Sequence, residues 1–172
     1  LDTGVDSTHG FLSGKVVSVA CYSSNTSSST TVCPGGGESE TGPGTGVNCS
    51  TSISGCKHGT HVAGIAAGDG TTFDGVARDA DIIAIQVFSE FSSAADCGSL
   101  PAPCALTWFS DLMSGLERVY ELRETYAIAS ANMSLGGGYY ESACDTMFLK
   151  TAIDNLRSVD IASVIASGND SY

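Results

Sequence analysis

The stretch Lys57-His58-Gly59-Thr60-His61-Val62-Ala63-Gly64-Ile65-Ala66-Ala67-Gly68 decides how the rest of the chain is read. Its small residues recur at a spacing that suits a tightly packed helix. Each glycine is nevertheless worse than alanine in an isolated helix by about 1 kcal/mol. Gly59, Gly64 and Gly68 therefore make sense only if neighbouring backbone passes very close. A histidine in the first turn of such a crowded helix is held rigidly, which suits a residue that places a proton. A lone His-x-x-His is more often a pair of satisfied polar groups, but this motif is longer and has company.

On the amino side of that helix, residues 14–21 are short and β-branched and read as a strand. Residues 22–55 are dominated by Ser, Thr and Gly, cannot build a core of their own, and read as a surface insertion pinned by cysteines. On the carboxyl side, Gly75-Val76-Ala77 leads into residues 80–88, whose centre at 82–87 is nearly continuously apolar, as in a strand covered on both faces. Residues 89–106 read as a second loop insertion. A helix is predicted from 107 to about 126, with Phe109, Leu112, Met113, Leu116, Val119 and Tyr120 on one face. A strand over 128–135, a helix over 145–157 and a strand over 161–167 complete the pattern. Alternating strands and helices imply the α/β class, with a mostly parallel sheet flanked by helices. In such sheets function gathers beyond the carboxyl ends of the strands. Asp2, Ser134 to Gly138 and Asn169 all fall at strand ends or in the following loops.

The 172 residues are 42% hydrophobic and 15% charged, which fits one globular domain or most of one. No apolar run reaches the roughly 18 residues of a membrane span. The opening Leu1-Asp2-Thr3-Gly4 has neither a starting Met nor a signal peptide, so a chain trimmed at its start is expected. A net charge of −12 argues against nucleic-acid and anionic-membrane partners, which repel such a surface. No motif bears on oligomeric state.

Seven cysteines among Ser, Thr, Gly and Pro favour disulfides in an oxidising, extracellular compartment. Cys97 is expected to pair with Cys104 across a short Pro-containing loop, and Cys21, Cys33, Cys49 and Cys56 to form two further pairs. Cys144 is then the odd one, its partner expected beyond Tyr172. The competing reading is a zinc site from Cys49, Cys56, His58 and His61, but both gaps miss the usual structural-zinc spacings.

An Asp, a His and an Asn on one edge of a parallel sheet suggest acyl transfer: the carboxylate orients the imidazole, which takes the nucleophile's proton. Asp2-Thr3-Gly4-Val5-Asp6, His58-Gly59-Thr60-His61-Val62-Ala63-Gly64, Ser134-Leu135-Gly136-Gly137 and Ala166-Ser167-Gly168-Asn169 resemble four successive blocks of the subtilisin-like serine proteases, and Gly75-Val76-Ala77 with its strand a fifth. The resemblance covers nearly the whole chain, in family order. It implies a three-layer subtilisin-like fold, incomplete at both ends, over residues 1–172. It implies that Asp2 is the triad aspartate, His58 the general base, Asn169 the side-chain oxyanion donor and His61 structural. Ser134, Leu135, Gly136 and Gly137 would pair with an extended peptide or protein substrate and border the specificity pocket.

The sequence departs from the family in several places. The Gly-Thr-Ser-x-Ala-type serine block does not occur, and neither does the strand that should lead into Asp2. The expectation is therefore a piece of a secreted subtilase endopeptidase, cut at both ends and inactive alone. The alternative is a pseudo-protease that binds extended peptides without cleaving them. No cofactor is required for such catalysis. Several subtilases bind calcium at loops, and Asp69 and Asp74 stand in one, without an EF-hand pattern and with no ligand assigned. Asp6 and His9 read as solvated loop residues and Trp108 as core.

Overall fold

The computed structural model describes residues 1–137 and 141–169. Along them the chain runs through β1 (Val16–Tyr22), β2 (Ser29–Thr30), β3 (Ser39–Thr41), α1 (His58–Ala67), β4 (Ile82–Gln86), β5 (Ser89–Phe91), α2 (Ala94–Cys97), β6 (Cys104–Leu106), α3 (Phe109–Leu122), β7 (Ser130–Met133), α4 (Leu149–Ser158) and β8 (Ala162–Ile165). β1 and β4 pair in parallel, with Val19 opposite Ala84, and β7 and β8 pair in parallel, with Asn132 opposite Val164. β3 adds an antiparallel edge to β1.

The first two residues join these two parallel pairs. The Asp2 amide donates to the Ile85 carbonyl (3.1 Å) and the Asp2 carbonyl accepts from the Val87 amide (3.0 Å). On the other side, the Leu1 backbone nitrogen donates to the Asn132 carbonyl (2.9 Å). The order across the layer is thus β3, β1, β4, Leu1–Asp2, β7, β8. Towards the amino ends of β4 and β7 the same gap continues as an apolar slot of about 520 Å³, bordered by Val17, Ile83, Ile85 and Ile128.

Alternation along β4 explains the layers. Ile83 and Ile85 face a core built with Leu112, Leu116 and Val119 of α3 and Leu156 of α4. Ile82 and Ala84 face the opposite side, where Val5, Leu12 and Ala63 of α1 pack. Each fully buried aliphatic side chain contributes about 1.5–3 kcal/mol, so these two cores hold the three layers together. α3 begins at Phe109 because extended Trp108 is its N-cap. The predicted start of the last helix at 145 moves to Leu149, since 141–148 form bends and turns.

α1 is capped from outside its own sequence. Carbonyls of its last turn accept from the block after it: Ile65 from the Val76 amide (2.9 Å), Ala66 from the Ala77 amide (2.8 Å), and Gly68 from the Gly75 amide (2.8 Å). These are groups that a helix end leaves unsatisfied, and supplying their partners is what Gly75-Val76-Ala77 does here.

Residues 22–55 and 89–106 are not bare loops. They share an antiparallel sheet of order β2-β5-β6. Two small clusters sit beneath it: Cys49, Ile53, Cys56 and Ala105 in one, Phe91, Cys97 and Cys104 in the other. Trp108 packs on Phe91 with centroids 5.5 Å apart, and its Nε1–H donates to the Ser29 hydroxyl (3.0 Å). Neither segment builds a core alone, but together they enclose these two clusters. Disulfides Cys21–Cys33, Cys49–Cys56 and Cys97–Cys104 close this region, and Cys144 is an exposed free thiol. Closing loops of this length stabilises by about 2–3 kcal/mol each.

Candidate active site

Asp2 sits where β4 ends, in a turn that positions its carboxylate. The Thr3 amide donates to Asp2 Oδ1 (2.7 Å). Gly4 follows with φ of 84°, and a Cβ there would stand 2.0 Å from the Val47 carbonyl oxygen, so only glycine fits. The Thr3 hydroxyl accepts from the Gly59 amide (3.0 Å), and the Thr60 hydroxyl accepts from the Asp6 amide (2.9 Å). α1 has no side-chain cap from Lys57, so Thr3 supplies one to a free helix amide.

These bonds bring His58 onto Asp2. His58 Nδ1 lies 2.8 Å from Asp2 Oδ1 and 3.0 Å from Oδ2. A carboxylate accepts, so Nδ1 carries the proton and Nε2 of the neutral ring is the free base. The Asp2 side chain is 9% exposed and that of His58 49%. The pair is therefore anchored at its acid end and open at its base end. Nε2 has no hydrogen-bond partner among the described residues.

The other sequence-predicted residues lie at the carboxyl ends of the neighbouring parallel strands. Ser134 follows β7 and its hydroxyl accepts from Asn132 Nδ2 (3.0 Å). Strand pairing continues one step past β8, with the Ala166 amide donating to the Met133 carbonyl (3.1 Å). Gly136 runs beside Gly168, and a Cβ on Gly136 would stand 4.0 Å from the Gly168 Cα. Ser134 and Leu135 are half-buried, while Gly136, Gly137 and Asn169 are exposed. Gly138 and Asp170 lie outside the described residues.

Some assignments change. His61 is exposed on α1 and makes no side-chain hydrogen bond among the described residues, unlike a packed structural histidine. Asp6 and His9 are exposed or half-exposed but shape the first turn: Asp6 Oδ1 accepts from the Thr8 amide (2.9 Å), and His9 Nδ1 accepts from the Phe11 amide (3.2 Å). The Thr8 hydrogen bonds, first of all that of its hydroxyl, hold the Asp6 carboxyl below its usual range.

Neither metal reading fits these side chains. Cys49 and Cys56 are bonded to each other and cannot serve as thiolate ligands. Asp69 and Asp74 both pair with Arg78, at 2.8 and 2.9 Å. Calcium needs six to eight oxygen ligands, and a guanidinium between the two carboxylates does not suit it.

Thr3 and Thr60 escaped the sequence reading. The available signal was a hydroxyl inside each motif, flanked by the glycine that lets the opposing backbone approach.

The subtilase-family model, peptidase S8, matches residues 1–172. Alkaline protease 1 of Aspergillus flavus is 32% identical over 113 residues, 66% of this chain and 23% of that relative. Subtilisin-like protease 3 of Trichophyton tonsurans is 32% identical over 114 residues, 66% of this chain and 24% of that relative. The matched stretch thus spans about a quarter of the length of these curated relatives. With a model match from end to end, the chain belongs to the subtilase family.

Proposed function

We propose that this chain carries the acid–base half of a secreted serine endopeptidase. Asp2 orients His58, and His58 Nε2 takes the proton of a serine hydroxyl as it attacks a peptide carbonyl. His58 then returns the proton to the leaving amine as the acyl-enzyme forms. Asn169 donates to the developing oxyanion, a contribution of about 3–4 kcal/mol where one such donor has been removed. Ser134–Gly137 binds the substrate as an added extended strand. The reading rests on one observation above all: the buried Asp2 carboxylate holding Nδ1 of a half-exposed imidazole. Three disulfides and the protease names of the relatives support an extracellular setting.

The nucleophile, in this reading, lies outside residues 1–172, since no serine here stands in a Gly-flanked elbow. The test is a fluorophosphonate probe and a chromogenic peptide on two samples. One is the 172-residue chain, and the other a longer protein that contains it and a Gly-Thr-Ser-type block. The expected result is no label and no turnover for the first, and a label on a serine of the added part for the second. In the longer protein, Asp2→Asn should lower kcat by about 10⁴ with the fold intact. Labelling of a serine within 1–172 would overturn the division of labour. A longer protein that binds extended peptides but neither labels nor cleaves would favour the pseudo-protease.

A further inference from the structure

The segment that delivers His58 is braced from two directions. Cys49 and Cys56 form a disulfide, with both residues nearly inaccessible (4% and 1% exposed). At one end of this bridge, the Cys49 amide donates to the carbonyl of Thr3, the residue after Asp2 (3.2 Å). At the other end, Cys56 stands two residues before His58, and the His58 amide donates to the Gly55 carbonyl (2.9 Å). The bridge is thus part of a closed circuit. It runs from Asp2 through Thr3 to Cys49, across the sulfurs to Cys56, on to His58, and back through the imidazole to the Asp2 carboxylate.

Ser54, inside the disulfide loop, is held in turn by β6. Its amide donates to the Pro103 carbonyl (2.8 Å), and its carbonyl accepts from the Ala105 amide (2.9 Å). The other two disulfides have different relations to the site. Cys21–Cys33 joins β1 to the loop after β2, and Cys97–Cys104 reaches Ser54 only through β6.

The geometry points to Cys49–Cys56 as a positioning pair that sets the Asp2–His58 contact, beyond any general stabilisation that a disulfide gives. This rests on the proposed roles of Asp2 and His58. A half-exposed imidazole gripped by one carboxylate can swing unless the backbone delivering it is fixed relative to that carboxylate. Hydrogen bonds to Thr3 from the Gly59 amide and from the Cys49 amide supply direction, while the bridge supplies a covalent limit on separation. Misplacement of a reacting group by 1 Å can lower a rate by about 10²-fold, so such a limit has catalytic weight.

The test compares Cys49→Ala/Cys56→Ala with Cys21→Ala/Cys33→Ala in the 172-residue chain. Each variant is observed at the same interval below its own melting temperature. The readouts are the low-field proton resonance of an imidazole Nδ1–H donated to a carboxylate, and the exchange rate of the Gly59 amide. Loss of Cys49–Cys56 should abolish the resonance and speed Gly59 exchange by about tenfold or more, through local opening. Loss of Cys21–Cys33 should leave both near their original values. If the Cys49–Cys56 variant does not fold, graded reduction of the unaltered chain, with alkylated cysteines mapped by mass spectrometry, makes the same comparison. The resonance should then fade in step with the Cys49–Cys56 fraction alone. Retention of the resonance without that bridge, or equal loss on breaking either bridge, would overturn the positioning role and leave the pair standing. Absence of the resonance from the unaltered, folded chain would overturn the pair itself, and the positioning role with it.

Discussion

Gly59 packs directly against the carbonyl oxygen of Gly4: a Cβ at position 59 would stand 2.3 Å from that oxygen and 3.1 Å from Asp2 Oδ1. The nearer neighbour is backbone, and Asp2 Oδ1 is held by the Thr3 amide and His58 Nδ1, so Gly59→Ala must push α1 away from the Asp2 turn. An overpacking loss of about 1–3 kcal/mol is expected, together with loss of the Asp2–His58 contact. Gly64→Ala is the control, since its nearest neighbour is an aromatic edge, Phe11 Cδ1 at 3.3 Å, which can yield. Urea denaturation should rank Gly59→Ala well below Gly64→Ala, and a Gly59→Ala chain as stable as the original would contradict the close approach.

Asp111 ties residues 22–55 to α3. Its buried carboxylate accepts from the Ser24 hydroxyl (2.7 Å) and the Ser24 amide (3.0 Å). Hydrogen bonds to a charged group contribute about 1.5–3 kcal/mol each, so Asp111→Ala should destabilise by at least about 2 kcal/mol. Arg78→Ala breaks more ion pairs, but Arg78 is half-exposed, and such pairs contribute about 0–1 kcal/mol. Chemical denaturation should therefore show the larger loss for the single buried carboxylate.

Thiol titration of the folded, unreduced chain should find one reactive group, Cys144, which is exposed while the other six cysteines are paired. A Cys144→Ser chain should titrate as zero until reduced and unfolded, when six thiols should appear. Tryptic mapping should recover Cys21 with Cys33, Cys49 with Cys56 and Cys97 with Cys104.

Much of the architecture was legible from local pattern. The apolar run at Ile82–Gln86, the striped face of Phe109–Leu122 and the glycines of His58–Ala67 each state how their own segment must be buried. The blocks around Asp2 and His58 also named the residues now seen 2.8 Å apart. Three features were not legible. Leu1 and Asp2 join β4 to β7 through backbone hydrogen bonds, which no side-chain pattern announces. β2, β5 and β6 share a sheet although Ser29 and Phe91 are far apart in sequence and β2 is only two residues long. Among Cys21, Cys33, Cys49 and Cys56, three pairings were possible and the fold selects one. Periodicity tells a segment which face to bury, because side-chain direction follows backbone geometry residue by residue. Which distant backbone meets that face depends on hydrogen bonds, such as that from the Gly59 amide to the Thr3 hydroxyl, that exist only once both segments are in place.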